Sequence, residues 1–115
     1  MQTLNTKKIN LTYYQLNLIG TMIRCYALTA RKLESCHGSL EAKVSALRRS
    51  TFPDENSVLE LEQEECNLAR MYNTDYCFNL AKNAEDGSFE SSDIVEIYLL
   101  ATSIQKLFTP RNQLN

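Results

Sequence analysis

A cysteine and a histidine are adjacent once in this chain of 115 residues, at Cys36 and His37, and a thiol beside an imidazole is the pairing from which nucleophilic catalysis is built. Sequence neighbours seldom turn toward each other in a productive geometry, so the pair by itself assigns no catalytic residue. His37 is the only histidine, and none of the four cysteines lies in a Cys-x-x-Cys pair, which leaves no donor set for a zinc site. Cys25 and Cys36 are separated by eleven residues, as are Cys66 and Cys77. Eleven residues close a whole number of helical turns plus roughly 20°, so two antiparallel helices could be stapled twice; free core thiols are the expected state. The glycines at 20, 38 and 87 are too scattered for a phosphate-cradling loop or a dinucleotide fingerprint. Glu60, Glu62, Glu64 and Glu65 read as a solvated acidic face suited to a basic groove on a protein partner rather than as an acid/base pair. The chemistry to expect is binding, with no catalytic residue, cofactor, metal or small-molecule substrate.

Charge is unevenly divided. The net charge of −2 hides +6 over residues 1–50 and −8 over residues 51–115. Either the halves attract each other, within one chain or across a dimer, or the basic half faces nucleic acid or an acidic partner. Length points to one domain, and 43 % hydrophobic with 23 % charged residues is a globular composition. No apolar run is long enough to span a membrane, and polar residues interrupt the run behind Lys7 and Lys8, so a cytoplasmic location is expected.

The elements that must position these residues read as helices. Residues 9–33, INLTYYQLNLIGTMIRCYALTARKL, place Leu16, Ile19, Ile23 and Tyr26 on one stripe and Leu11, Leu18, Met22 and Cys25 on its neighbour. With Asn10 capping its start and Gly38 closing its end, this predicts a helix of roughly 27 residues, the core and dimer helix of the fold. Gly20 in its middle marks close helix packing or a hinge. Ser39 can cap a short second helix with Leu40, Val44 and Leu47 on one edge, followed by a loop around Pro53. Ser57 through Glu60 has a capping-box pattern and predicts the start of a third, acid-rich helix, with its end left open between Tyr72 and Leu80 by Asn73, Thr74 and Asp75. Asp86, Gly87 and Ser88 form a turn, and Asp93 with Glu96 opens a fourth helix carrying Ile94, Ile97, Tyr98, Ala101, Ile104 and Phe108. The expectation is therefore an all-α fold: one domain over residues 1–108, about four helices around a long central N-terminal helix, dimeric, with a frayed tail at 109–115.

Three segments together resemble the FlhD family, the small helical subunit of the flagellar and conjugative-transfer master regulator. Ile9-Asn10-Leu11-Thr12-Tyr13 is similar to its INLSY segment. Leu59-x-Leu61-x-Gln63, then Leu68-Ala69 and Cys77-Phe78, match its middle elements, and Asp93-Ile94-x-Glu96-Ile97-Tyr98 with Lys106-Leu107 matches its C-terminal ones. Residues 24–56 lack the family's middle segment. The resemblance implies a homodimer that joins an FlhC-like partner, binds promoter DNA through that complex and helps to recruit RNA polymerase. It allows an interchain disulfide at Cys77. Lys7, Lys8, Arg48 and Arg49 are the candidate phosphate contacts, salt-dependent and without a sequence code. A second reading is a small helical interaction module, such as an anti-activator, chaperone or phage-encoded inhibitor, acting through the acidic third helix.

Overall fold

The computed structural model describes residues 6–30, 32–85 and 91–108, so the expected turn at 86–88 and the tail at 109–115 lie outside the described residues. Six elements follow one another: β1 (Thr6–Leu11), α1 (Tyr13–Thr29), α2 (His37–Ser50), β2 (Ser57–Glu62), α3 (Gln63–Glu85) and α4 (Ser91–Phe108). The fold is mainly helical. The all-α expectation is corrected by a two-stranded antiparallel sheet in which Ile9 pairs with Leu59 and Lys8 with Glu60.

Two local patterns explain the correction. In β2, Ser57, Leu59 and Leu61 are buried while Val58, Glu60 and Glu62 are exposed, which is the two-residue period of a strand with one wet face. In β1, Ile9 and Leu11 point inward and Lys8 and Asn10 outward, so these residues do not begin a helix. The helix begins at Thr12 instead of Asn10. The Thr12 hydroxyl accepts from the Gln15 N–H at 3.1 Å and the Gln15 side chain accepts from the Thr12 N–H at 2.9 Å, a reciprocal capping box.

Helix α1 closes at Ala30, whose N–H reaches the Tyr26 carbonyl, and not at Gly38, which lies in the first turn of α2. At 17 residues α1 is shorter than the 23-residue α3, so the expected long N-terminal helix is also corrected. Leu16, Ile19 and Ile23 nevertheless sit at the centre of the core, with α1 packed against α2, α3 and α4. Each such side chain contributes about 1.5–3 kcal/mol on burial. Ser39 is not the cap of α2, which starts one turn earlier; its hydroxyl bonds the Cys36 carbonyl and the Glu65 carboxylate.

Helix α3 runs unbroken through Asn73. That residue is fully buried, and its amide donates to the Ala101 carbonyl of α4 at 3.1 Å and contacts Met22 Sδ of α1 at 3.5 Å. The poor helix propensity of asparagine is outweighed here by a bond that ties three helices together. Among the described residues, no helix is long and apolar enough to cross a membrane.

Candidate functional site

Glu65 forms the densest polar cluster. Its carboxylate, buried at the start of α3, accepts from Lys43 Nζ at 2.6 Å, from the Ser39 hydroxyl at 2.6 Å and from the Glu62 N–H at 2.8 Å. Burial by itself would raise its pKa, but the bonds from Lys43, Ser39 and Glu62 and the Lys43 charge more than offset this and hold it below the usual value. With three donors on its carboxylate and 2 % of its surface exposed, Glu65 is not part of an outward acidic face.

The acidic group therefore divides. Glu60 and Glu62 stand on the exposed face of β2, with Glu60 accepting from the Thr6 hydroxyl at 2.6 Å and Glu62 within 4.0 Å of Lys43. Glu64 is exposed in the first turn of α3. The expected acidic helix face is corrected to a strand face plus one helical residue, because the Leu-Glu-Leu-Glu alternation places the first two acids on a pleat.

A second cluster surrounds His37. Its Nδ1 lies 2.7 Å from the Tyr72 hydroxyl, both side chains are buried, and the Tyr26 ring stacks on Tyr72 with centroids 4.2 Å apart. Burial pushes the Tyr72 phenol up to about 12. His37 is thus turned toward Tyr72, while the Cys36 thiol donates to the Glu64 carbonyl at 3.6 Å. Burial, opposed only in part by a backbone hydrogen bond, and the nearby Glu64, Glu65 and Glu34 charges raise the Cys36 pKa and keep the thiol protonated. Cys36 borders an open cleft of about 370 Å³ with Glu34, Glu64, Leu68 and Met71.

All four cysteines are free. Cys36 stands at the N-terminus of α2 and not on α1, so the two-staple geometry does not arise. Cys77 is half-buried on α3, with its pKa raised by burial.

The candidate DNA contacts fall on two elements. Lys7 and Lys8 are exposed on β1, and Arg49 is exposed in the last turn of α2. Arg48 turns inward: its Nε donates to Asn17 Oδ1 at 3.1 Å and its guanidinium lies over Gly20. Gly20 therefore serves close packing of α2 on α1. The basic and acidic halves of the chain do meet within the molecule, through Lys43 with Glu65 and through the pairing of β1 with β2.

Sequence reasoning singled out neither Tyr72 as the partner of His37 nor Lys43 as the partner of Glu65. These pairs are 35 and 22 residues apart and leave no local signature. A scan of protein-family models and searches of curated proteins and of solved structures each returned no match to this chain.

Proposed function

We propose that this chain is a non-enzymatic transcriptional co-regulator of the FlhD kind, a subunit that binds an FlhC-like protein and, with it, promoter DNA. The observation that carries the reading is the disposition of the charged groups. Glu65, Lys43 and Arg48 are engaged by partners within the molecule, whereas Lys7, Lys8 and Arg49 are exposed, where they can meet phosphates. His37 and Cys36, the adjacent imidazole and thiol, are each tied to another group. The test is electrophoretic retention of promoter DNA by the chain co-expressed with its FlhC-like partner, across a salt series. Lys7→Glu combined with Lys8→Glu is expected to lower the slope of log affinity against log salt by about two, at roughly 0.9 per lost phosphate contact. An unchanged slope refutes the contact.

A second reading is favoured by the exposed face of β2. Val58, Glu60 and Glu62 present an apolar and acidic strip, the chemistry of an inhibitor that occupies a basic groove on its target. Glu60→Lys with Glu62→Lys separates the two readings, since it abolishes target binding under the second and leaves DNA retention intact under the first.

A further inference from the structure

The sheet consists of β1 and β2 alone, so each strand has one edge that the other does not pair. Two hydrogen bonds fix which backbone groups stand on those edges. The Glu62 N–H donates to Glu65 Oε1 at 2.8 Å, and the Thr12 N–H, directly after β1, donates to Gln15 Oε1 at 2.9 Å. Both amides therefore point away from the ladder. Backbone groups alternate in direction along an antiparallel pair, so Ser57, Leu59 and Leu61 bond β1, while the N–H and C=O of Val58 and Glu60 project from the outer edge of β2. Among the described residues no turn or loop bond engages those four groups. Beside them lies an open groove of about 370 Å³, walled by Lys43, Ala46, Leu47 and Ser50 of α2 and by Val58, Leu59 and Glu60. No residue of β1 lines it, which places it on the outer side of β2. A bare strand edge beside a groove with an apolar wall has the form of a slot for an added strand.

We propose that this edge receives an extended, basic segment of a partner protein as a third strand. The bare amides select an extended backbone, and the charges around them select its side chains. Glu60 and Glu62 are exposed on the outward face, so partner residues opposite them lie alongside carboxylates and are lysine or arginine. Lys8 already stands across from Glu60 on the β1 side, and a basic third strand continues that alternation. The intervening partner residues turn inward over Ala46 and Leu47 and are apolar. Lys43 stands on the same wall, its ammonium held by Glu65, and disfavours a base at those inner positions. A second copy of this chain fits poorly, because β2 paired with β2 gathers Glu60 and Glu62 of both copies on one face. The proposal deepens the second reading of function, on which it rests for its biological use, by replacing contact through a charged face with a paired backbone.

The probe is a fluorescein-labelled peptide of alternating lysine and valine, eight residues long, titrated with the full chain and followed by anisotropy. Binding is expected. Methylating the lysine backbone nitrogens should weaken it about tenfold, because in this register those N–H groups reach the Val58 and Glu60 carbonyls. Methylating the valine nitrogens, which point away from β2, should leave it nearly unchanged. Val58→Pro removes a donor from the free edge without touching the ladder, and should cost a similar factor with helicity unchanged by circular dichroism. Glu60→Gln combined with Glu62→Gln should cost about threefold. A target that docks through charge alone is weakened by the acidic variants but is indifferent to Val58→Pro and to methylation, so failure of the slot and failure of the second reading are told apart. If Val58→Pro lowers helicity, the methylated peptides alone decide. Absence of binding by the lysine-valine peptide, equal loss with both methylated peptides, or binding that lysine methylation or a folded Val58→Pro leaves intact overturns the proposal. Self-association that Val58→Pro abolishes also overturns it, since the edge then belongs to a second copy.

Discussion

The Arg48 guanidinium occupies the space in which any residue other than glycine at position 20 would place its β-carbon: Nη1 would lie 2.6 Å and Cδ 3.0 Å from that atom. Gly20 is in mid-helix, where alanine would gain about 1 kcal/mol in propensity. Helix α1 forgoes that gain so that a side chain of α2 can lie across it and reach Asn17.

Gly20→Ala is therefore expected to change stability by less than about 1 kcal/mol, because the gain in propensity is offset by displacement of Arg48 and loss of its bond to Asn17. In an Arg48→Ala background the same substitution should stabilise by about 1 kcal/mol, as nothing is displaced. Urea denaturation of the four proteins gives the coupling directly. Additive effects would show that Arg48 moves aside without cost.

Glu65 predicts the acid limb of stability. Its carboxyl is held below the ordinary value of 4.5 in the folded chain, so the ionised form is favoured by folding. That contribution is fully present above the unfolded pKa and is lost as pH falls through the folded one. Thermal melts from about pH 7 to pH 3 should show wild-type stability falling more steeply than that of Glu65→Gln. At neutral pH the variant should be less stable by roughly 1.5–3 kcal/mol, because the short charge-assisted bond from Lys43 is lost. Parallel pH curves would remove Glu65 as the cause.

Tyr72 predicts the alkaline limb. Its phenol titrates at about 12 in the fold against 10 for the ordinary group, so the neutral form is favoured by folding. The stability it provides is complete below 10 and declines as pH rises from 10 toward 12. Tyr72→Phe should cost about 1 kcal/mol at neutral pH through loss of the His37 bond, and should flatten this decline. Ultraviolet titration at 295 nm provides an independent check of the phenol.

Ser57 carries a buried hydroxyl with no hydrogen-bond partner among the described residues. Ser57→Ala removes an unpaired polar atom without opening a large cavity. The expected result is a protein as stable as the wild type or more stable by about 1 kcal/mol, measured by the urea midpoint. A loss above that size would mean that the hydroxyl is satisfied.

The exposure of Lys7, Lys8 and Arg49 and the burial of Leu16, Ile19 and Ile23 follow from chemistry legible in the residues themselves, since apolar periodicity and charge decide which side of an element seeks water. The start of α1 is legible too, two residues beyond the expected cap at Asn10: Thr12, Tyr13, Tyr14 and Gln15 form the same hydroxyl-x-x-carboxamide or carboxylate pattern as Ser57 through Glu60. One of these two patterns caps a helix and the other begins a strand. What separates them is the residues that follow, helical spacing after Thr12 and alternation after Ser57, together with a strand partner some fifty residues away. A two-stranded sheet is marginally stable without the core beneath it, so the six-residue alternation after Ser57 became a strand only through its partner and the packing under it.

The sequence by itself determined that the chain is mainly helical, that its apolar residues make one core, and that its two halves carry opposite charge. Only the tertiary structure decided that Glu65 would be buried against Lys43, that Arg48 would turn inward over Gly20, and that His37 would meet Tyr72 instead of Cys36. Periodicity is a local property and sets which residues face inward. The partner that each meets there is set by how the elements pack, and that depends on the whole chain at once.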